Sequence, residues 1–253
     1  MICLKNEEEL QKMRRCGAIA AAALKAVGEQ LRPGMTTAAV NKIVHTVIVS
    51  AGAKPSFKGY HGFPASACVS LNDEIIHGIP AHDRVIHEGD LVKVDVGAFL
   101  NGVHTDCAHT YAVGEVTEQA QKLIRVTRES FYAGVAYCLP GGRLGDVSSA
   151  IQQTAETAGF SLVREYTGHG VGFALHEDPS VPNFGTAGRG VRLANGMTLA
   201  IEPMVNAGGR EILSLPDGWT VKTRDGSLSA HYERTVAITS NGPEILTKVG
   251  DEK

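Results

Sequence analysis

Residues 91–113, LVKVDVGAFLNGVHTDCAHTYAV, place two aspartates where an ionised carboxylate is costly. The run is rich in Val with Phe, Tyr and Thr, as a strand pair would be. Asn101-Gly102 supplies the residue types of a two-residue type I′ hairpin loop. That turn sets Gly97 opposite Asp106. Because strand side chains alternate, Asp95 points to the same face as Gly97. Asp95 and Asp106 are then diagonal neighbours on one side of the hairpin, within reach of a shared ion. Two carboxylates converging on an apolar face lose hydration and repel, and a cation relieves both effects. A register shifted by one residue would send one of them to the surface instead, and the hairpin alone does not decide between these.

Three further stretches carry the same kinds of side chain. In YTGHGVGFALHEDP, 166–179, His169 stands between glycines that remove bulk around its ring, and imidazole suits first-row divalent metals. His176, further along, fits a ligand, a hydrogen-bond donor or a surface residue. In MTLAIEPMV, 197–205, Glu202 closes an apolar run before Pro203, which is unsuited to a central ladder position; a solvated strand end would explain it equally well in isolation. In SAHYERTVAITSNGPEIL, 229–246, an extended chain puts Glu233 on one face with His231 and Thr235 and turns Arg234 away, so Glu233 needs another partner. Asp95, Asp106, Glu202 and Glu233 together match the charge of two divalent cations. Such ions, about 3.5–4 Å apart, activate water. A lone structural magnesium or calcium would favour oxygen ligands and leave His169 without a role. The HExxH, GxxxxGK[ST], GxSxG and dinucleotide-binding patterns are absent.

The elements that must position these groups follow from periodicity and caps. Residues 7–30 predict a long helix, with Asn6 and Glu9 as a capping box and Arg32-Pro33-Gly34 as its end. Thr36 or Thr37 starts a second helix running to about Val49, closed by Gly52. Thr117 to Tyr137 and Leu144 to Ala158 predict another helix pair, with Gly159 as the residue past the last turn. Between the pairs, residues 54–80 interleave Gly, Pro and aromatics around a short strand, Ser66 to Leu71, and a turn at Asn72-Asp73. Tyr60, Phe63 and Cys68 would line a pocket there or fill an ordinary core. His77 would be a catalyst or a hydrogen-bonded structural residue. The order of helix pair, loop and strands occurs twice, a weak sign of duplication.

Composition narrows the class. A chain of 253 residues with 43% hydrophobic content buries a sizeable core. A net charge of −3, with both signs mixed along the chain, points to neither nucleic acid nor an anionic membrane. No run is long and apolar enough to span a bilayer, and residues 17–28 read as helix, not as an export signal. The five scattered cysteines lack metal-finger spacing and suit thiols in a cytoplasmic protein.

The series Asp95, Asp106, His169, Glu202 and Glu233, with YTGHGVGFALH and VSLNDEIIHGIP, resembles the type I, bacterial methionine aminopeptidases, from the first helix to about Lys248. The resemblance implies an α/β (α+β) pita-bread fold: a single catalytic domain, 1–253, of two pseudo-symmetric halves, about 1–115 and 116–253, with antiparallel strands backed by helices. It implies hydrolytic removal of the initiator methionine from nascent polypeptides whose second residue is small. It implies two divalent ions, of cobalt, manganese, iron or zinc: Asp95 on one, Asp106 and Glu233 bridging, His169 and Glu202 completing the other. His77 and His176 match the two family histidines outside that set, and Glu202 is the candidate proton shuttle. Tyr60, Phe63, Cys68, Leu175 and Trp219 would form the methionine pocket. Phe57, Phe63 and Leu175 depart from the usual Cys, Tyr and Phe, and Cys107 from the usual Thr. The expected setting is a cytoplasmic monomer with the ribosome as a candidate partner.

Overall fold

In the computed structural model, residues 2–250 are described. Helix α1, Glu7–Gln30, begins at Asn6, whose side chain accepts from the Glu9 amide while the Glu9 carboxylate accepts from the Asn6 amide, the predicted capping box. Helix α2, Thr37–Ser50, starts at Thr36, which accepts from the Ala39 amide. Helix α3, Glu118–Val135, is capped by Thr117, and α4, Leu144–Thr157, is followed by Gly159 at φ +89°, a left-handed position that suits glycine.

The helices flank an antiparallel sheet whose centre is the predicted hairpin. Strand Leu91–Leu100 pairs with Val103–Ala112 through Asn101 and Gly102, both at positive φ as a type I′ loop requires. Gly97 lies opposite Asp106 and Asp95 opposite Ala108, so the aspartates are the diagonal neighbours the turn predicts. The register is not shifted.

The sheet continues from Val103–Ala112 to Glu233–Thr239, then Thr198–Ile201, Gly168–Gly170 and Glu177–Val181. Cys68–Leu71 and Lys54–Pro55 lie beside the first hairpin strand, and Gly242–Ile245 beside Glu233–Thr239. The first of these begins at Cys68, not at Ser66: the amides of Ser66 and Ala67 both donate to the Asn41 side chain, leaving the ladder to start two residues later. Two three-stranded sheets flank the main one. One joins Ser229–His231, Met204–Asn206 and Ser161–Leu162; the other joins Ile212–Ser214, Val221–Thr223 and Glu74–Ile76. The run 229–239, predicted as one extended segment, is therefore split at Tyr232 between two sheets.

Two apolar cores result. One packs α1 and α2, through Met13, Leu24, Val44 and Ile48, against Val94 and Val96 of the hairpin. The other packs α3 and α4, through Leu123, Phe131, Val147 and Ile151, against Leu199, Val205 and Val236. Among the described residues no helix is long and apolar enough to cross a membrane.

Candidate metal centre and substrate pocket

Adjacent strands of the main sheet carry the site. Asp95 and Asp106 stand on the hairpin, Glu233 begins the next strand, Glu202 follows the next, and His169 lies on the one after. The order in space is 95, 106, 233, 202, 169, so the last three are reversed relative to the sequence. Ligand atoms of Asp106, His169 and Glu233 lie within 4.8 Å of one another, all three residues being buried. Glu202 reaches them through Oε1, 3.6 Å from His169 Nε2. Asp95, Asp106, His169, Glu202 and Glu233 all face one cavity.

The Gly-His-Gly unit is a sheet strand. A Cβ on Gly168 would lie 2.3 Å from the Ala200 carbonyl oxygen and one on Gly170 2.3 Å from that of Asp178, so only glycines let the flanking strands close on His169. His169 Nδ1 lies 2.9 Å from the Gly170 carbonyl oxygen, which can only accept; the proton therefore sits on Nδ1 and the Nε2 lone pair faces the carboxylates. Thr235 fixes the backbone of Asp106 from both sides, accepting from its amide at 2.9 Å and donating to its carbonyl at 2.8 Å.

Burial holds the Asp95, Glu202 and Glu233 carboxyls well above the usual carboxylate range, with mutual repulsion adding to it. Asp106 is raised to about 7 by burial, partly offset by its hydrogen bond with Asp95. Burial pushes His169 down to about 3 and His77 to about 4, each helped by the charge of His176. Asp95 Oδ1, Asp106 Oδ1 and Glu233 Oε1 are buried and have no hydrogen-bond partner among the described residues. Buried carboxylate oxygens left unmatched, around one imidazole lone pair, form a donor set that fits first-row divalent cations.

The same cavity is walled by Phe57, Tyr60, Phe63, Cys68 and Trp219, with His77 and His176 at its sides. Phe63 meets Trp219 edge-on, with ring centroids 5.0 Å apart. Leu175, predicted to line the pocket, is buried and packs in one apolar cluster with the wall residues Phe57, Phe63 and Cys68 and with Ala65. Phe57, one of the three departures from the usual pocket residues, lines the cavity itself. It occupies the space above Gly97, where a Cβ would lie 2.6 Å from its ring. His77 sits at φ +60° with its ring edge-on to Tyr166 and Trp219. His176 Nδ1 is 2.8 Å from the Tyr60 hydroxyl. Cys107 turns away from the cavity into the core of α1 and α2, as strand alternation predicts.

His231 is the residue that sequence reasoning passed over. It is 1% exposed, and its Nε2 lies 3.4 Å from Glu202 Oε2. Its place on a face with Glu233 was legible; its contact with Glu202 depends on the flanking sheet.

This geometry, an antiparallel sheet gathering carboxylates and one imidazole under a walled pocket, is that of a metallohydrolase. The sequence pattern of metallopeptidase family M24 matches residues 11–240. A methionine aminopeptidase of Clostridium perfringens is 53% identical over 249 residues, covering 98% of this chain and 100% of its own length. Methionine aminopeptidase 1 of Bacillus subtilis is 49% identical, with coverage of 98% and 100%. The crystal structure of the Thermotoga maritima methionine aminopeptidase superposes with a TM-score of 0.97 at 49% identity, over 98% of this chain and 100% of that one. Prolidase from Pyrococcus furiosus superposes at 0.77 with 26% identity, covering 98% of this chain and 66% of its own. The chain thus belongs to metallopeptidase family M24 and, within it, to the methionine aminopeptidases of bacterial type. Its architecture is the pita-bread fold, and family membership makes it an enzyme that requires divalent metal.

Two outcomes follow from the geometry. Gly97→Ala should destabilise the fold by about 1–3 kcal/mol, because the methyl group meets the Phe57 ring and the Ser56 Cβ, and adding Phe57→Leu, which relieves only the first contact, should recover part of the loss in urea unfolding. The second concerns pH. A carboxyl whose folded pKa exceeds its unfolded one stabilises the fold fully below the unfolded value, and that contribution is lost as pH rises through the folded value, about 7 for Asp106. Lys93, pushed down to about 7 by burial, and the depressed histidines act in the opposite sense, but they do so alike with and without metal. The gap in melting temperature between Mn²⁺-loaded and chelator-treated protein should therefore widen as pH rises from about 6 to 8, because only the metal-free fold keeps the protons of these carboxyls; a gap that narrows would contradict their burial.

Proposed function

We propose that this protein removes the N-terminal methionine from newly made polypeptides whose second residue is small, using two divalent cations held by Asp95, Asp106, His169, Glu202 and Glu233. The observation that carries this reading is the joining of those side chains to an apolar, aromatic-walled pocket in one cavity. Methionine is unbranched and polarisable, and it suits such walls. The acidic floor suits a free terminal amine, which a mid-chain peptide lacks, and this explains cleavage after the first residue only.

When bound, the cations polarise the scissile carbonyl and lower the pKa of water. The remaining work belongs to the chain. The Tyr60 hydroxyl donates to His176 Nδ1, which leaves the proton on Nε2 to be given as a hydrogen bond to the scissile carbonyl oxygen. His77, uncharged because burial drives its pKa to about 4, contacts the scissile amide nitrogen. Glu202 carries a proton to the leaving nitrogen. Tyr60, Phe63 and Trp219 position the methionine side chain, with Leu175 packed in the same apolar cluster.

Manganese, cobalt, iron and zinc all suit these oxygen and nitrogen donors. We read the chain as one catalytic domain of two related halves, about 1–115 and 116–253; the two helix-backed cores support this. We read its setting as a cytoplasmic monomer, in keeping with five cysteines that form no disulfide, with emerging chains, and through them the ribosome, as partners.

Metal-loaded protein should release methionine from Met-Ala-Ser and leave Ala-Pro-Ala intact; the opposite preference would assign it to the Xaa-Pro-cleaving members of the fold. His77→Ala should lower kcat by about 10²–10⁴-fold while binding the same amount of metal. Loss of metal in that variant would overturn the role given to His77. Glu233→Ala should bind fewer ions per chain in direct metal analysis, and full occupancy would overturn its bridging role.

A further inference from the structure

The two oxygens of Glu202 meet different histidines. Oε1 lies 3.6 Å from His169 Nε2, and Oε2 lies 3.4 Å from His231 Nε2. These two approaches differ chemically. His169 keeps its proton on Nδ1, committed to the Gly170 carbonyl, so the nitrogen facing Oε1 offers a lone pair. An anion and a lone pair facing each other need a cation between them, as at a metal site. His231 has no such commitment: among the described residues neither of its ring nitrogens has a hydrogen-bond partner, and both are fully buried. The Glu202 carboxylate is the acceptor that its Nε2–H faces.

We propose that His231 is a positioning residue that holds Glu202 through Oε2 and thereby turns Oε1 toward His169 and the metal site. The proposal rests on Glu202 belonging to the metal-binding set.

The surroundings are built for such a hold. Thr110 Oγ1 donates to the His231 carbonyl at 2.8 Å and accepts from its amide at 2.9 Å, so the backbone beneath the ring is pinned on both sides. His231 pairs with Met204, two residues after Glu202, in the flanking sheet. The Glu202 carbonyl accepts from Asn183 Nδ2 at 2.9 Å, and Asn183 is itself fully buried. Backbone and ring are fixed before the carboxylate is placed, so a hydrogen bond from the ring selects one carboxylate orientation. Hydrogen-bond partners of metal ligands act in this way, and their loss typically costs about 10–100-fold in metal affinity or activity.

The test uses the whole protein, with Mn²⁺ binding followed by titration calorimetry and turnover of Met-Ala-Ser. His231→Leu fills the space without a donor and should lower Mn²⁺ affinity and kcat by about 10–100-fold with KM little changed. His231→Gln retains an N–H and should keep most of both. In a Glu202→Gln background, His231→Leu should have no further effect on affinity. The proposal is overturned if His231→Leu binds Mn²⁺ and turns over as the parent does, if His231→Gln falls as far as His231→Leu, or if His231→Leu costs as much beside Glu202→Gln as alone. A Glu202→Gln protein that binds Mn²⁺ like its parent would reject the ligand role of Glu202, a different failure, and the positioning role with it. Ring ¹⁵N shifts in the zinc-loaded parent test the same point without any variant that might misfold: they should place the proton of His231 on Nε2, and a proton on Nδ1 would overturn the proposal.

Discussion

Gathering four carboxyls in one buried place is the constraint on which this structure depends. Taken alone, the arrangement is unfavourable: burial and mutual repulsion drive Asp95, Glu202 and Glu233 toward their protonated forms. A fold holds such a cluster only if the scaffold is stiff enough to prevent relaxation and something of opposite charge relieves it. Stiffness comes from the sheet. Asp95, Asp106, Glu233 and His169 stand on strands, with Glu202 directly after one, and Thr235 ties Asp106 to its neighbour through both backbone groups. On the function proposed above, divalent cations supply the charge, and the same repulsion that strains the bare cluster favours their uptake.

How much of this is legible in the sequence depends on how local the determining physics is. The hairpin is legible because a two-residue turn and a side-chain period of two fix the Asp95–Asp106 register within one short segment. The caps at Asn6, Thr36 and Thr117 are legible for the same reason. The strand order is not: the sequence runs 169, 202, 233, whereas the sheet places Glu233 beside Asp106 and His169 furthest away. Pairings between segments that far apart leave no local pattern. The break at Tyr232 is also hidden. An unbroken extended run has the same composition, yet here the chain passes from one sheet to another, and Arg234 is buried with its guanidinium 4.3 Å from the Tyr232 ring centroid.

The pocket shows a second limit. Apolar and aromatic residues in 54–80 are legible as a wall, but which face the cavity and which stand behind it depends on packing. Phe57 can stand against the cavity because Gly97, on a strand forty residues away, leaves room for its ring. The side chain at 97 therefore matters to the pocket through an atom it lacks.

Charges far from the cluster also bear on its geometry. Lys5, ahead of α1, forms a buried ion pair with Glu177, whose other oxygen accepts from the Ala174 amide at 3.0 Å, so the chain's start is tied to the loop carrying Leu175 and His176. Lys93, fully buried and pushed down to about 7 by that burial, donates to the carbonyls of Asn72 at 2.6 Å and Ser229 at 3.2 Å. It thereby joins the hairpin to the strand that ends in His231. Neither lysine is among the candidate ligands, yet one secures the loop carrying His176, which faces the cavity, and the other the strand carrying His231, which adjoins Glu202. Removing a buried ammonium would leave buried carbonyls or a carboxylate unmatched, so the cost of losing either lysine falls first on the position of those rings. Catalytic geometry here is the end of a chain of satisfied buried polar groups, and the carboxyl cluster, left for a metal to complete, is where that chain stops.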